Sequence, residues 1–216
     1  MSVSRAGKPG DNPVAEQRTN ENDWSAYYKA VAARPPRDLL RQTMHRFPQG
    51  GNASRLAVDL GCGAGNETMA LLDAGWSVLA IDQQPEALAH VRALVTPDQT
   101  SRLTLQVASF ADIDLPPSDF IWASVSLPFA TPGNFPIVWK KILAALKPGG
   151  RFAGDFFGPR HAWSGRDDMN FHTADQVRAL CRSLHVEYFI SEEGEKITAT
   201  KGPQHWHAYA IVGRKP

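Results

Sequence analysis

The sequence has few cysteines, almost no excess of charge and no long apolar run. With two cysteines among 216 residues, a disulfide scaffold is excluded and a reducing compartment is favoured. The 23 Lys and Arg nearly balance 22 Asp and Glu, leaving a net charge of +1. Proteins that bind nucleic acid by neutralising phosphates usually carry a basic surplus, so we expect no nucleic-acid partner.

Segments able to cross a membrane are also missing. The longest uncharged stretch, 120–139, contains Pro128, Pro132, Gly133 and Pro136, which would break a spanning helix. No apolar stretch follows a basic start, so a secretory signal is not expected. The sequence predicts a cytoplasmic protein with no membrane partner, acting as a monomer or a homodimer.

Apolar residues are plentiful but begin only after a polar start. They make up 43% of the chain, enough to cover both faces of a sheet. Residues 1–23 are polar and contain Gly and Pro, which is typical of a flexible tail. Apolar residues recur at helical spacing from Trp24. We predict a tail at 1–23 and one domain at 24–216, comprising a helical cap (24–50) and a core (55–216).

Strand-like and helix-like segments alternate throughout the predicted core. Five such alternations are followed by two strands joined by a loop, which is typical of an α/β fold with a doubly wound, mostly parallel sheet. The last strand is expected to run antiparallel. The seven predicted strands are 56–60, 77–81, 103–107, 120–125, 151–157, 186–191 and 206–213.

The most informative segment is a glycine-rich loop between the first strand and the first core helix. It contains Asp59, Gly61, Cys62, Gly63, Gly65 and Asn66. Glycines let the backbone turn sharply and let a ligand approach closely, and the free N–H groups of a helix start favour an anion. The loop therefore predicts a binding site, the alternative being a glycine turn without a ligand.

An acid after the second strand strengthens this prediction. Asp82 lies about 20 residues beyond Asp59, where an acid can accept hydrogen bonds from both ribose hydroxyls of a nucleoside. The glycine spacing is G-x-G-x-G, whereas dinucleotide binders typically show G-x-G-x-x-G. Together these features indicate a nucleoside cofactor other than a dinucleotide.

Three segments resemble the class I S-adenosylmethionine-dependent methyltransferases: residues 58–66, Ile81-Asp82 and 146–152. The chain looks most like the small members annotated for tellurite resistance or for small molecules, and the resemblance covers about 24–214. It implies a Rossmann-like seven-stranded sheet with helices on both faces. It also implies a transferase that uses S-adenosylmethionine.

The resemblance implies roles for particular residues. The loop glycines would lie against the methionine part of the cofactor, and Asp82 would hold the ribose. Phe110 can stack on adenine, but Ser109 stands where many members have an acid, which departs from the family pattern. The other predicted cofactor-binding residues are Asp59, Cys62, Asn66, Gln83, Ser124, Trp24, Tyr28 and Arg34.

The aromatic helix before the core could fold over the cofactor. Trp24 and Tyr28 would attract the cationic sulfonium, and Arg34 could pair with the cofactor's carboxylate. The alternative is that these rings only pack the helix onto the sheet.

The methyl acceptor is expected beyond the carboxyl ends of the parallel strands. Ser126 and Phe129 partly fit the polar-Pro-Pro-aromatic motif of amine-methylating members, and Trp163 lies in a long loop suited to be a lid. His205 and His207 share a face of the last strand, so we predict that they are catalytic and take a proton from the acceptor. They could instead bond at the strand end or ligate a metal, but no further Cys/His spacing supports a metal, and we predict none.

The sequence therefore predicts an enzyme that moves a methyl group from S-adenosylmethionine to an N, O, S or metalloid atom of a small molecule. Two alternatives stay open. One is a non-catalytic module that binds the nucleoside cofactor. The other is a nicotinamide-dependent oxidoreductase, which the glycine spacing and the lack of a Tyr-x-x-x-Lys pair disfavour.

Overall fold

The computed structural model describes residues 24–48 and 55–216; the predicted tail at 1–23 and the end of the predicted cap lie outside these ranges. Seven strands form a sheet in the order β3-β2-β1-β4-β5-β7-β6. The first five strands run parallel, and β7 runs antiparallel to both β5 and β6. The strands are β1 (Leu56–Leu60), β2 (Ser77–Asp82), β3 (Leu103–Val107), β4 (Ser118–Ala123), β5 (Leu146–Phe157), β6 (His185–Thr198) and β7 (Gly202–Arg214).

Within the described residues, six α-helices surround the sheet. Pro85 lies in the first turn of its helix, where a residue without an N–H is tolerated. Thr173 accepts a hydrogen bond from the N–H of Gln176 in a capping box. The helices are α1 (Trp24–Val31), α2 (Asp38–Met44), α3 (Asn66–Asp73), α4 (Pro85–Leu94), α5 (Phe135–Ala145) and α6 (Ala174–Leu180).

The core lies on both faces of the sheet. On one face, Val58 and Ile121 of the central strands pack with the buried residues of α5 and α6. On the other face, Ala57 and Phe120 pack with those of α2, α3 and α4. Because side chains alternate along a strand, both faces of these strands must be apolar. The predicted α/β, doubly wound, seven-stranded fold is confirmed.

The last two strands are much longer than predicted. β6 spans 14 residues and β7 spans 13, and the two pair from His185↔Arg214 to Thr198↔Gly202. The first of them was predicted to end at Ser191, and charged residues follow that position. Those residues extend the hairpin since the two strands satisfy each other's backbone groups without burying a face.

Two further observations concern the predictions about membrane spans and disulfides. Among the described residues, none of the helices has both the length and the apolar character needed to cross a bilayer. Cys62 and Cys181 are both buried and unpaired.

Candidate functional site

A cavity of about 920 Å³ lies at the carboxyl ends of β1, β2 and β4. This is the edge of an open α/β sheet at which ligands bind. Fourteen of the predicted site residues line it: Trp24, Tyr28, Arg34, Gly61, Cys62, Gly63, Asn66, Asp82, Gln83, Phe110, Ser124, Ser126, Phe129 and Trp163.

The glycine loop forms one wall of this cavity. Gly61, Gly63 and Gly65 have φ values of +81°, +52° and +86°, a left-handed region that glycine adopts at little cost. A Cβ on Gly61 would lie 2.4 Å from the Cβ of Ser126, and one on Gly65 would lie 2.8 Å from Cγ2 of Val91. At Gly61 and Gly65, both the backbone conformation and the packing therefore require glycine.

Asp82 lies at the end of β2, beside this loop. Its Oδ2 accepts a 2.9 Å hydrogen bond from the N–H of Gly63, and its Oδ1 accepts one of 2.9 Å from the N–H of Gln84. The Tyr28 hydroxyl lies 3.5 Å from Oδ1. Burial raises the pKa of Asp82, and the hydrogen bonds counter that effect. A carboxylate has about four lone pairs, so Asp82 retains acceptor capacity toward the cavity.

Three of the predicted cofactor-binding residues do not line the cavity. Asp59 is buried and accepts a 2.6 Å hydrogen bond from the Thr68 hydroxyl; burial raises the pKa of this carboxyl to about 7. Gly65 is the N-cap residue of α3. Ser109 donates a 2.7 Å hydrogen bond to Asp112. Asp59 and Ser109 therefore bond to neighbouring side chains, and Gly65 begins a helix.

Helix α1 covers the cavity from the side of the glycine loop. The ring of Tyr28 packs over Gly63, where a Cβ would lie 3.5 Å from Cε1. Trp24 meets Phe129 edge to face at a centroid distance of 5.1 Å. Asn66 donates a 2.8 Å hydrogen bond to the last carbonyl of α1. The helix thus connects the loop after β1 with the loop after β4.

Arg34 is held by an acid that the sequence analysis did not single out. Its Nη2 donates a 2.7 Å hydrogen bond to Oε1 of Glu67, which also accepts one of 3.2 Å from the N–H of Arg37. Glu67 is 8% exposed, and both Glu67 and Arg37 line the cavity. The predicted pairing of Arg34 with a cofactor carboxylate stays a prediction.

The loop after β4 is tightly constrained. The Ser124 hydroxyl donates a 2.5 Å hydrogen bond to Asp155, whose pKa burial raises. Val125 has a φ of +52°, and such strain in a β-branched residue is typical of functional sites. Ser126 is 7% exposed, and among the described residues its hydroxyl has no hydrogen-bond partner. The hydroxyl oxygen itself is buried against Gly61 and is not exposed to the cavity.

The structure does not bring His205 and His207 into the cavity, so their predicted placement there is wrong. The ring of His205, 42% exposed, lies 3.3 Å from both Glu193 and Glu195. The two histidines do share a strand face, but that face points away from the cavity. Trp206, the residue between them, lines the cavity instead, as strand alternation requires.

His207 is buried, and its ring is hydrogen-bonded within the protein. It is 1% exposed; its Nδ1 accepts a 3.1 Å hydrogen bond from the N–H of Arg160, and its Nε2 lies 3.0 Å from the Tyr209 hydroxyl. Burial, together with the positive charge of Arg160, lowers the pKa of His207. The neutral ring joins β7 to the loop that follows β5.

The cavity also has lining residues that the sequence analysis missed. The tip of the β6–β7 hairpin contributes Lys196 to Lys201. The alternation around Trp206 could have revealed that residue. No signal pointed to the hairpin tip, because its position depends on how far two polar strands pair beyond the sheet.

Comparisons with known proteins agree with this geometry. Residues 57–150, which include the glycine loop and Asp82, match the family model described as "Methyltransferase domain". Residues 57–150 are therefore similar to a methyltransferase domain, over less than half of the chain. The match confirms the predicted resemblance to methyltransferases over these residues.

One curated relative is similar over part of the domain. Hemagglutinin 1 from Eikenella corrodens is 34% identical over 97 residues, which are 43% of this chain and 31% of the relative. The chain thus spans about a third of the length of that protein.

Several solved structures share the fold of this domain. A SAM-dependent methyltransferase from Methanosarcina mazei has a TM-score of 0.62 at 18% identity, covering 80% of this chain and 96% of that one. TehB from Haemophilus influenzae has a TM-score of 0.63 at 16% identity, covering 76% and 59%. The N-methyltransferase NodS from Bradyrhizobium japonicum, solved with S-adenosylhomocysteine, has a TM-score of 0.62 at 14% identity, covering 93% and 91%. At these identities the likeness shows the fold.

Proposed function

We propose that this chain is an S-adenosylmethionine-dependent methyltransferase that methylates an N, O, S or metalloid atom of a small molecule. The observation that carries the proposal is the continuity of the cavity, which joins the glycine loop and Asp82 to the aromatic residues Phe129 and Trp163. Ligand pockets usually measure about 300–1,000 Å³. A volume of about 920 Å³ is at the top of that range, which suits a cofactor with an acceptor beside it.

The residues at the glycine-loop end fit the cofactor. Gly61 and Gly63 line the cavity and turn with positive φ, so a ligand can approach their backbone without meeting a side chain of the loop at these positions. Asp82 would accept hydrogen bonds from the ribose, and Phe110 would pack on the adenine. When bound, S-adenosylmethionine supplies a methyl group activated by the sulfonium sulfur.

The residues at the other end suit a small acceptor. Its reacting atom would have to be held in line with the methyl group, and such alignment can supply about 7–11 kcal/mol of the barrier. Phe129 and Trp24, which line this end, would exclude water from the apolar part of the acceptor. No histidine is needed in this proposal, since a base is required only when the acceptor arrives protonated.

Calorimetric titration with S-adenosylmethionine, S-adenosylhomocysteine and NAD tests the cofactor half of the proposal. We expect both sulfur compounds to bind and NAD not to bind. Tight binding of NAD alone would favour the oxidoreductase.

Methyl-labelled S-adenosylmethionine tests the catalytic half. The protein is incubated with the labelled cofactor and a broad panel of small nucleophiles, and transfer is followed by the label. We expect transfer to at least one compound. Binding of the cofactor without transfer to any of them would favour the non-catalytic module.

A further inference from the structure

The β6–β7 hairpin extends well beyond the sheet as an arm. The pairing of β5 with β7 ends at Phe157↔Ala208, whereas β6 and β7 continue to pair from Glu193↔His207 to Thr198↔Gly202. Six residues of strand reach about 20 Å. The arm is therefore long enough to carry its tip from the sheet edge over the cavity.

The arm is fixed at its base and at its tip. At the base, the Arg160 guanidinium forms a two-bond pair with Glu193, with distances of 2.6 and 2.5 Å, and this pair lowers the pKa of Glu193 to about 2. At the tip, the Thr198 hydroxyl accepts a 3.1 Å hydrogen bond from the N–H of Lys201 and donates one of 3.0 Å to the carbonyl of Gly202. The backbone that carries Lys201 is thus held in a defined turn.

The arm places positive charge above the aromatic wall of the cavity. Nζ of Lys201 lies 5.4 Å from the ring centroid of Trp163, and Nζ of Lys196 lies 5.5 Å from that of Trp206. Lys196 also pairs with Glu192. Within residues 24–48 and 55–216, no carboxylate forms an ion pair with Lys201.

The acids of the cavity lie at its other end. The acidic lining residues are Glu67 and Asp82. Glu67 is paired with Arg34, and Asp82 is bonded to the backbone of the glycine loop. An acceptor at the aromatic wall therefore lies near positively charged side chains and away from the acids of the cavity.

From these contacts we infer that the acceptor is a planar, largely apolar molecule that bears a negatively charged group. This inference rests on the proposed function. Its ring packs against Phe129 and Trp163, which lie 6.2 Å apart between centroids, and its anionic group pairs with Lys201. An aromatic wall alone would also attract a cation. The ammonium group of Lys201 reverses that preference, because it repels a second cation and can form a charge-assisted bond with an anion.

Three matched probes test the charge preference: 3-phenylpropanoate, 3-phenylpropanamide and 3-phenylpropylamine. They share a ring and a chain and differ in the charge of one end. Each is titrated by ligand-observed NMR into the protein, with and without saturating S-adenosylhomocysteine. We expect the carboxylate to bind about fivefold or more tightly than the amide, and the amine to bind most weakly.

Two variants of Lys201 test whether the arm causes the preference for the carboxylate probe. Lys201→Gln should reduce the affinity for the carboxylate to about that for the amide, and Lys201→Arg should preserve the preference because the positive charge is kept. Lys140→Gln makes the same charge change on the exposed side of α5 and should leave the preference unchanged.

The outcomes separate the two proposals. Absence of a carboxylate preference, including undetectable binding of the carboxylate, overturns the inference, as does an equal effect of Lys201→Gln and Lys140→Gln. Failure of S-adenosylhomocysteine to bind overturns the proposed function instead, while the titrations without it still measure the charge preference of the cavity.

Discussion

Gly61 and Ser126 are in such close contact that no side chain fits between them: a Cβ on Gly61 would lie 2.4 Å from the Cβ of Ser126. Gly61 follows β1 and Ser126 follows β4, two strands that are neighbours in the sheet. Their contact joins the wall expected to hold the cofactor to the loop expected to meet the acceptor. Any change at Gly61 should therefore disturb both ends of the cavity.

A comparison of Gly61→Ala with Gly149→Ala tests this contact. Both glycines have a positive φ, +81° and +76°, so both variants should lose about 1–2 kcal/mol for a left-handed alanine. A Cβ on Gly149 meets nothing within 4 Å, whereas one on Gly61 collides. We expect Gly61→Ala to lose stability beyond this shared amount in urea unfolding, and Gly149→Ala not to. We also expect only Gly61→Ala to weaken the binding of S-adenosylhomocysteine. Equal stability and equal affinity of the two variants would contradict this assignment.

Asp82→Asn tests the carboxylate at the end of β2. The change keeps the size of the side chain but removes its charge, so cofactor affinity should fall by about 1–3 kcal/mol, the usual cost of losing charge-assisted hydrogen bonds. Asp175→Asn is the control, since this side chain is 95% exposed and lies on α6. If calorimetry gives the same affinity for the Asp82 variant and the parent protein, Asp82 does not hold the cofactor.

The glycine-loop end of the cavity was predictable from the sequence because its determinants are local. Glycines are needed where the backbone turns with positive φ, and the acid follows the next strand along the chain, so both can be recognised from spacing alone. The order of strands and helices was predictable for the same reason, since apolar periodicity reports burial of each element.

The acceptor end was not predictable to the same extent, because it depends on tertiary packing. Alternation correctly put His205 and His207 on one face, but whether that face or the face of Trp206 meets the cavity depends on the loop that packs against β7. The reach of the arm depends on pairing between two polar strands, which leaves no apolar pattern. Asp59 illustrates a third case: it has the position of a ligand-binding acid, but its carboxylate accepts a hydrogen bond from the Thr68 hydroxyl of α3 instead.

His207 and His205 should differ sharply when each is replaced by alanine. His207→Ala removes the acceptor for the N–H of Arg160 and leaves a gap beside Gly158, whose Cβ position lies 2.3 Å from Nδ1 of the ring. We expect a loss of about 1–3 kcal/mol and faster proteolysis within residues 158–170. His205→Ala changes a partly exposed side chain and should stay within about 0.5 kcal/mol. Urea unfolding and limited proteolysis check both expectations, and a larger loss for His205→Ala would refute them.

The pH dependence of stability should reveal the buried His161. Its ring stacks on Phe157 at a centroid distance of 4.0 Å, and its Nδ1 accepts a 3.1 Å hydrogen bond from the N–H of Trp163. Burial lowers the pKa of His161 from 6.5 to about 4, with the charges of His205 and His207 adding to the effect. The native protein therefore keeps this ring neutral at pH values where the unfolded chain already binds a proton.

The sign of the effect follows from this difference in proton binding. Between pH 6.5 and about 4 the unfolded state binds more protons, so stability falls as the pH falls, by up to about 1.4 kcal/mol per pH unit for one such group. His161→Phe keeps an aromatic ring against Phe157 but cannot be protonated. In urea unfolding from pH 7 to pH 4.5, we expect the variant to lose less stability than the parent protein. His172 and His207 contribute with the same sign and the buried carboxyls Asp59, Asp82 and Asp155 with the opposite sign, so the difference between variant and parent, and not the slope of either, reports His161. Identical slopes for the variant and the parent would show that His161 is protonated in the native state as readily as in the unfolded chain.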